Sequence, residues 1–141
     1  MVKDLIHDES FLAGKSRVAT KDDIGIARDL LDTLIAHKDE CVGIAGNMIG
    51  VKKRIIAFLD QSAVIPTYTV MLNPQIIKKS DMYETKEGCL SLLGNPRPCK
   101  RYKTITVQYQ DLNLDTFEKP YTGFTAQIIQ HEVDHINGVL I

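Results

Sequence analysis

Apolar residues recur at Ile24, Ala27, Leu31, Leu34 and Ile35, one face of a helix. Thr20 stands just before them as a cap, with Asp22 and Asp23 suited to the positive first turn. The pattern predicts an amphipathic scaffold helix over 21–37. Three short runs, RIIAFLD (54–60), YTVMLNP (68–74) and ITVQYQD (105–111), read as strands. The last alternates apolar and polar, as a half-buried strand does. Gly94, Pro96 and Pro98 make LLGNPRPCKR (92–101) read as a loop. A second helix starts at Thr122 and stops at Asn137-Gly138. Residues 1–19 read as an ordered arm, and VLI at the end as a short terminal strand. Strands grouped between two separated helices predict an α+β class with mainly antiparallel sheet, rather than alternating βαβ units.

Composition narrows this picture only slightly. A chain of 141 residues, 44% hydrophobic and 25% charged, fits one globular domain over 1–141. A net charge of −1 argues against nucleic-acid binding by bulk charge. No apolar run is long enough for a bilayer, and the N-terminus has no secretory h-region. Three cysteines, Cys41, Cys89 and Cys99, are too few for a disulfide scaffold. A reducing cytoplasm is therefore expected, where a cysteine is a buried residue, a ligand or a nucleophile.

The chemistry concentrates in QHEVDH, residues 130–135. On a helix, His131 and His135 lie on one face a turn apart, where two imidazoles can bind one metal. Phe124 and Ile128 precede them on the same stripe. Glu132 lies beside the pair, placed to move a proton for a water. Only INGVLI follows His135, so a third ligand has to come from upstream. Cys41, Cys89, Cys99, His7, His37 and many carboxylates are candidates, and a thiolate binds Zn²⁺ or Fe²⁺ strongly. Cys89, in EGCLSLLG (87–94), is the favourite, because Gly88 permits a turn or close approach.

Three motifs in order, CVGIAGNM (41–48), EGCLS (87–91) and QHEVDH (130–135), resemble the peptide deformylase family. LNP (72–74), Arg97, Arg101 and NGVL fit its layout, so the resemblance spans nearly the whole chain. It implies antiparallel sheets around a central helix bearing the HExxH motif. It implies metal ligands Cys89, His131 and His135, an open fourth position, and Glu132 as the general base and acid. The implied metal is one divalent ion, Fe²⁺ in the cell, with Zn²⁺ or Ni²⁺ in preparations. The implied reaction hydrolyses N-formylmethionyl peptides to formate and a free N-terminus. The peptide would lie as an added strand along Gly43–Ile44, with the methionine side chain near Ile44, Phe124 and Ile128. Nascent N-formylmethionyl peptides are the implied partner, in the cytoplasm, with neither membrane nor nucleic acid bound.

The first motif departs from the family's G-Φ-G-Φ-A-A-x-Q. Cys41 replaces its first glycine, Gly46 its second alanine and Met48 its glutamine. That glutamine, with the backbone N–H at Leu90, is the family's oxyanion donor. A thioether cannot donate a hydrogen bond. Asn47 beside it carries an amide and is a candidate replacement donor. Two further readings follow from Met48: a weakened paralogue that binds metal and peptide, or an amidohydrolase for another small N-acyl group. The chain also stops where bacterial members continue into a further helix, which argues against a ribosome contact.

Overall fold

The computed structural model describes residues 1–89 and 92–141. Its helices are α1 (Glu9–Leu12), α2 (Ile24–Ala36) and α3 (Gly123–Ile136). Its strands are β1 (Gly43–Ala45), β2 (Ile55–Asp60), β3 (Thr67–Cys89), β4 (Leu92–Gln110) and β5 (Thr116–Thr122). The strands make one antiparallel five-stranded sheet in the order β1-β2-β3-β4-β5. The α+β class follows from this layout.

Thr20 caps as its position predicts. Its side chain accepts from the Asp22 N–H, while the Asp23 carboxylate accepts from the Thr20 N–H at 2.8 Å. The first turn, Lys21–Asp23, is 3-10, and α2 proper starts at Ile24. Its buried face is Ala27, Leu30, Thr33 and Leu34, rotated from the predicted stripe, so Ile35 is exposed.

In β2, Ile55, Ile56, Ala57 and Phe58 are all fully buried. Alternating side chains point to opposite faces, so both faces of β2 are covered. Helices α2 and α3 both pack against it.

Residues 92–101 are strand, not loop. They pair with 83–89 as the arm of a long β3–β4 hairpin, with Lys86 opposite Pro98. Among the described residues β4 meets β5 only over 104–110, so the Pro-containing part lies on an unpaired edge, where proline is tolerated. Residues 9–12 of the predicted arm are helical, with Asp8 capping the Ser10 and Phe11 N–H groups. The terminal Val139, Leu140 and Ile141 form no strand.

Candidate metal centre

Helix α3 carries the motif into the interior. His131, Glu132 and His135 are buried, as is Gln130, whose amide holds the Tyr102 main chain on β4 through both its N–H and its carbonyl at 2.8 Å. The hairpin brings Cys89, the last residue of β3, opposite this helix. The ligand atoms of Cys89, His131 and His135 lie within 4.8 Å of one another. Cys41, Cys99, His7 and His37 are not in this group.

Each imidazole is oriented by a carboxylate. Nδ1 of His131 donates to Oε1 of Glu87 at 2.6 Å, and Nδ1 of His135 donates to Oε1 of Glu132 at 2.9 Å. Such partners fix the ring and leave Nε2 as the coordinating atom. Nε2 of His135 is buried with no hydrogen-bond partner among the described residues. That orphaned nitrogen, a second imidazole and a thiol fit a single Zn²⁺- or Fe²⁺-class ion with one position left open.

The electrostatics agree. Burial opposes a charged Cys89, but the neighbouring imidazoles of His131 and His135 outweigh it and bring the thiol down to about 6. Burial likewise opposes charge on His131, yet Cys89 and Glu87 raise it to about 9. Burial also opposes charge on Glu87, which is still held down to about 2, because His131, Arg101 and Gln127 all hydrogen-bond its carboxylate. Arg101 contacts Glu87 through Nε and Nη2 and reaches Asp134 with Nη1 at 2.7 Å. Sequence reasoning missed Glu87 as a functional residue. Its only signal was an acid two positions before the candidate thiolate.

A cleft of about 530 Å³ opens on the centre. Val42, Gly43 and Met48 form one wall, Glu87 to Cys89 another, and Phe124, Ile128 and Glu132 the floor. A Cβ on Gly43 would come 2.8 Å from Oε2 of Glu132, so the bare backbone there is what lets the carboxylate reach the cleft.

The predicted pocket residues divide. Phe124, exposed, and Ile128 line the cleft. Ile44 does not: it is fully buried in the core, because side chains alternate along β1 and the cleft-facing position there belongs to Gly43. Val42, just before the strand, lines the cleft instead. Leu90 falls outside the described residues.

Met48 is buried at the cleft wall, and its sulfur accepts the Ala45 N–H at 3.3 Å. Asn47 does not replace the missing glutamine. Its Nδ2 is spent on the carbonyls of His135, at 2.8 Å, and Leu12, at 3.3 Å.

The family model for polypeptide deformylase matches residues 6–141. A peptide deformylase of Clostridium beijerinckii is 50% identical over 141 residues, covering 100% of both chains. Peptide deformylase 1 of Clostridium perfringens is 36% identical over 139 residues, covering 95% of this chain and 90% of its own. Among solved structures, a Met-Ala-Ser-bound class I type b peptide deformylase from Acinetobacter baumannii superposes with a TM-score of 0.86 at 27% identity, over 99% of this chain and 96% of that one. The peptide deformylase of Thermus thermophilus gives 0.85 at 30% identity, over 99% and 83%.

Proposed function

The chain belongs to the peptide deformylase family and removes the N-formyl group from nascent peptides, and we propose that Cys89, His131, His135 and Glu132 carry out that reaction. The observation that carries the assignment is the convergence of one thiol and two carboxylate-oriented imidazoles at the foot of the cleft. Full-length similarity to a named deformylase favours this over a binding-only paralogue or another N-acyl specificity.

A divalent ion held by Cys89, His131 and His135 would supply Lewis acidity toward the formyl carbonyl and would acidify water. The protein's own groups do the rest. Glu132 has one oxygen tied to His135 and the other facing Gly43 and the cleft. We assign it as the base that takes a proton from the attacking water and returns it to the leaving amine. Glu87 and Arg101 hold the His131 ring. We assign the Leu90 N–H as the remaining oxyanion donor, since Met48 supplies none.

The peptide would add as a strand along the outer edge of β1, which pairs with no strand but β2 among the described residues. Ile44 would contribute there by main chain alone, while Val42, Phe124 and Ile128 would receive the methionine side chain. We read 1–141 as one domain with α3 as its central helix. Fe²⁺ is the proposed cellular ion, because a thiolate with two imidazoles suits it and a reducing cytoplasm preserves it. No helix of the described residues is long and apolar enough to cross a membrane.

The test is anaerobic Fe²⁺ reconstitution followed by formate release from formyl-Met-Ala-Ser. Turnover that disappears on chelation, and metal loading that weakens in Cys89→Ser, are expected. Full metal loading in Cys89→Ser would move the third ligand elsewhere.

A further inference from the structure

A second, much smaller void adjoins the metal centre. It measures about 10 Å³, room for a single water. Leu12, Val139 and Leu140 give it apolar walls, and Asn47, Cys89 and His135 bring its polar atoms.

Asn47 is the informative residue. Its side chain is anchored by Nδ2, which donates to His135 and Leu12 carbonyls that only a donor can satisfy. The amide cannot flip without facing oxygen to oxygen, so Oδ1 is the atom left over. That oxygen is buried and finds no donor among the described residues, although Asn47 is only 1% exposed. An acceptor stranded in this way is unfavourable unless something donates to it. Apolar walls offer nothing, and Cys89 Sγ is itself an acceptor once it is a thiolate.

We propose that the void holds one water that donates to both Asn47 Oδ1 and the Cys89 sulfur, which makes Asn47 a positioning residue of the metal centre. The inference rests on Cys89, His131 and His135 being the metal site. One amide then acts on two ligands. Through Nδ2 it holds the last turn of α3 at His135. Through the water it draws electron density from the thiolate, the kind of outer contact that tunes a bound metal.

The test uses Co²⁺ as the probe, with crystals of the Co²⁺-loaded protein and its absorption spectrum. Density for one water within hydrogen-bond distance of Oδ1 and Sγ is expected. Asn47→Leu, which keeps the shape and removes the amide, should shift the sulfur-to-cobalt charge-transfer band to longer wavelength. It should also weaken Co²⁺ binding roughly 10–100-fold. Leu12→Phe fills the void but leaves the Asn47 donors in place, and should give the same band shift. An empty void overturns the proposal, whether or not Leu12→Phe folds. So does a shift confined to Asn47→Leu, which would assign the whole effect to the His135 contact. A wild-type protein that binds Co²⁺ with no thiolate band would overturn the metal-site reading instead.

Discussion

Gly43 and Glu132 occupy adjoining space at the cleft wall: a Cβ on the glycine would stand 2.8 Å from the carboxylate Oε2 and 2.8 Å from Cγ2 of Ile128. An edge strand and a helix distant in sequence thus meet where only backbone fits. Gly43→Ala has to push Glu132 aside. A displacement near 1 Å of a catalytic group can cost about 10² in rate. The expected outcome is kcat reduced about 100-fold with metal stoichiometry unchanged, read by formate release and metal analysis on the same sample. Wild-type kcat would mean that Glu132 has room to spare.

Arg101 and Glu87 form a buried pair that also orients His131. Arg101→Met leaves the Glu87 carboxylate buried without its guanidinium partner. Removing one side of such a pair destabilises by about 3–5 kcal/mol. Urea unfolding of the metal-free protein should show a lower midpoint with an unchanged slope. A midpoint equal to wild type would remove this pair from the account.

Glu87 also sets an acid limit. Its folded-state carboxyl lies at about 2, below the ordinary 4.5. A depressed acid contributes stability above its ordinary value of 4.5, and that contribution fades as pH falls from 4.5 toward 2. Glu87→Gln should flatten the loss of stability over that window, measured by chemical unfolding of the metal-free protein at stepped pH. A profile with the wild-type slope would place the acid sensitivity in other carboxylates.

The three cysteines should separate by reactivity. Burial raises Cys41 and Cys99 to about 11, while Cys89 falls to about 6 next to the two histidines. The thiolate is the nucleophile. Iodoacetamide at neutral pH should label Cys89 first in the metal-free protein and leave it untouched once metal is loaded. Peptide mapping by mass spectrometry reads this directly. Preferential labelling of Cys41 would contradict the site assignment.

Met48→Gln restores the amide that the family places at the oxyanion. Loss of one such donor costs about 10²–10³ in rate, so its return should raise kcat by about tenfold or more. The same formate assay checks it. Unchanged kcat would show that the oxyanion needs no side-chain amide at this position.

How far the sequence reached depended on whether local pattern or tertiary pairing fixed each element. The α3 motif was legible because helix geometry alone places His131 and His135 together. Cys89 was only a favourite on spacing, since its meeting with α3 depends on a hairpin folding back through many residues. That hairpin was hidden: Gly94, Pro96 and Pro98 are breaker signals, and only the free edge of β4 reconciles them with a strand. β5 was missed for a related reason, because an exposed edge strand carrying Pro120 has little apolar alternation to read. Ile35 looked like core by periodicity, but the helix face is set by where β2 lies. Asn47 could not be placed at all without the positions of the His135 and Leu12 carbonyls.

Glu132→Gln puts the central claim to the most direct test. The Fe²⁺-loaded variant would be compared with wild type for formate release from formyl-Met-Ala-Ser, with bound metal counted in each. One metal per chain is expected in both proteins, with turnover lower by about 10²–10⁴-fold in the variant. Turnover that survives in a metal-replete Glu132→Gln protein would contradict the assignment of Glu132 as the proton carrier.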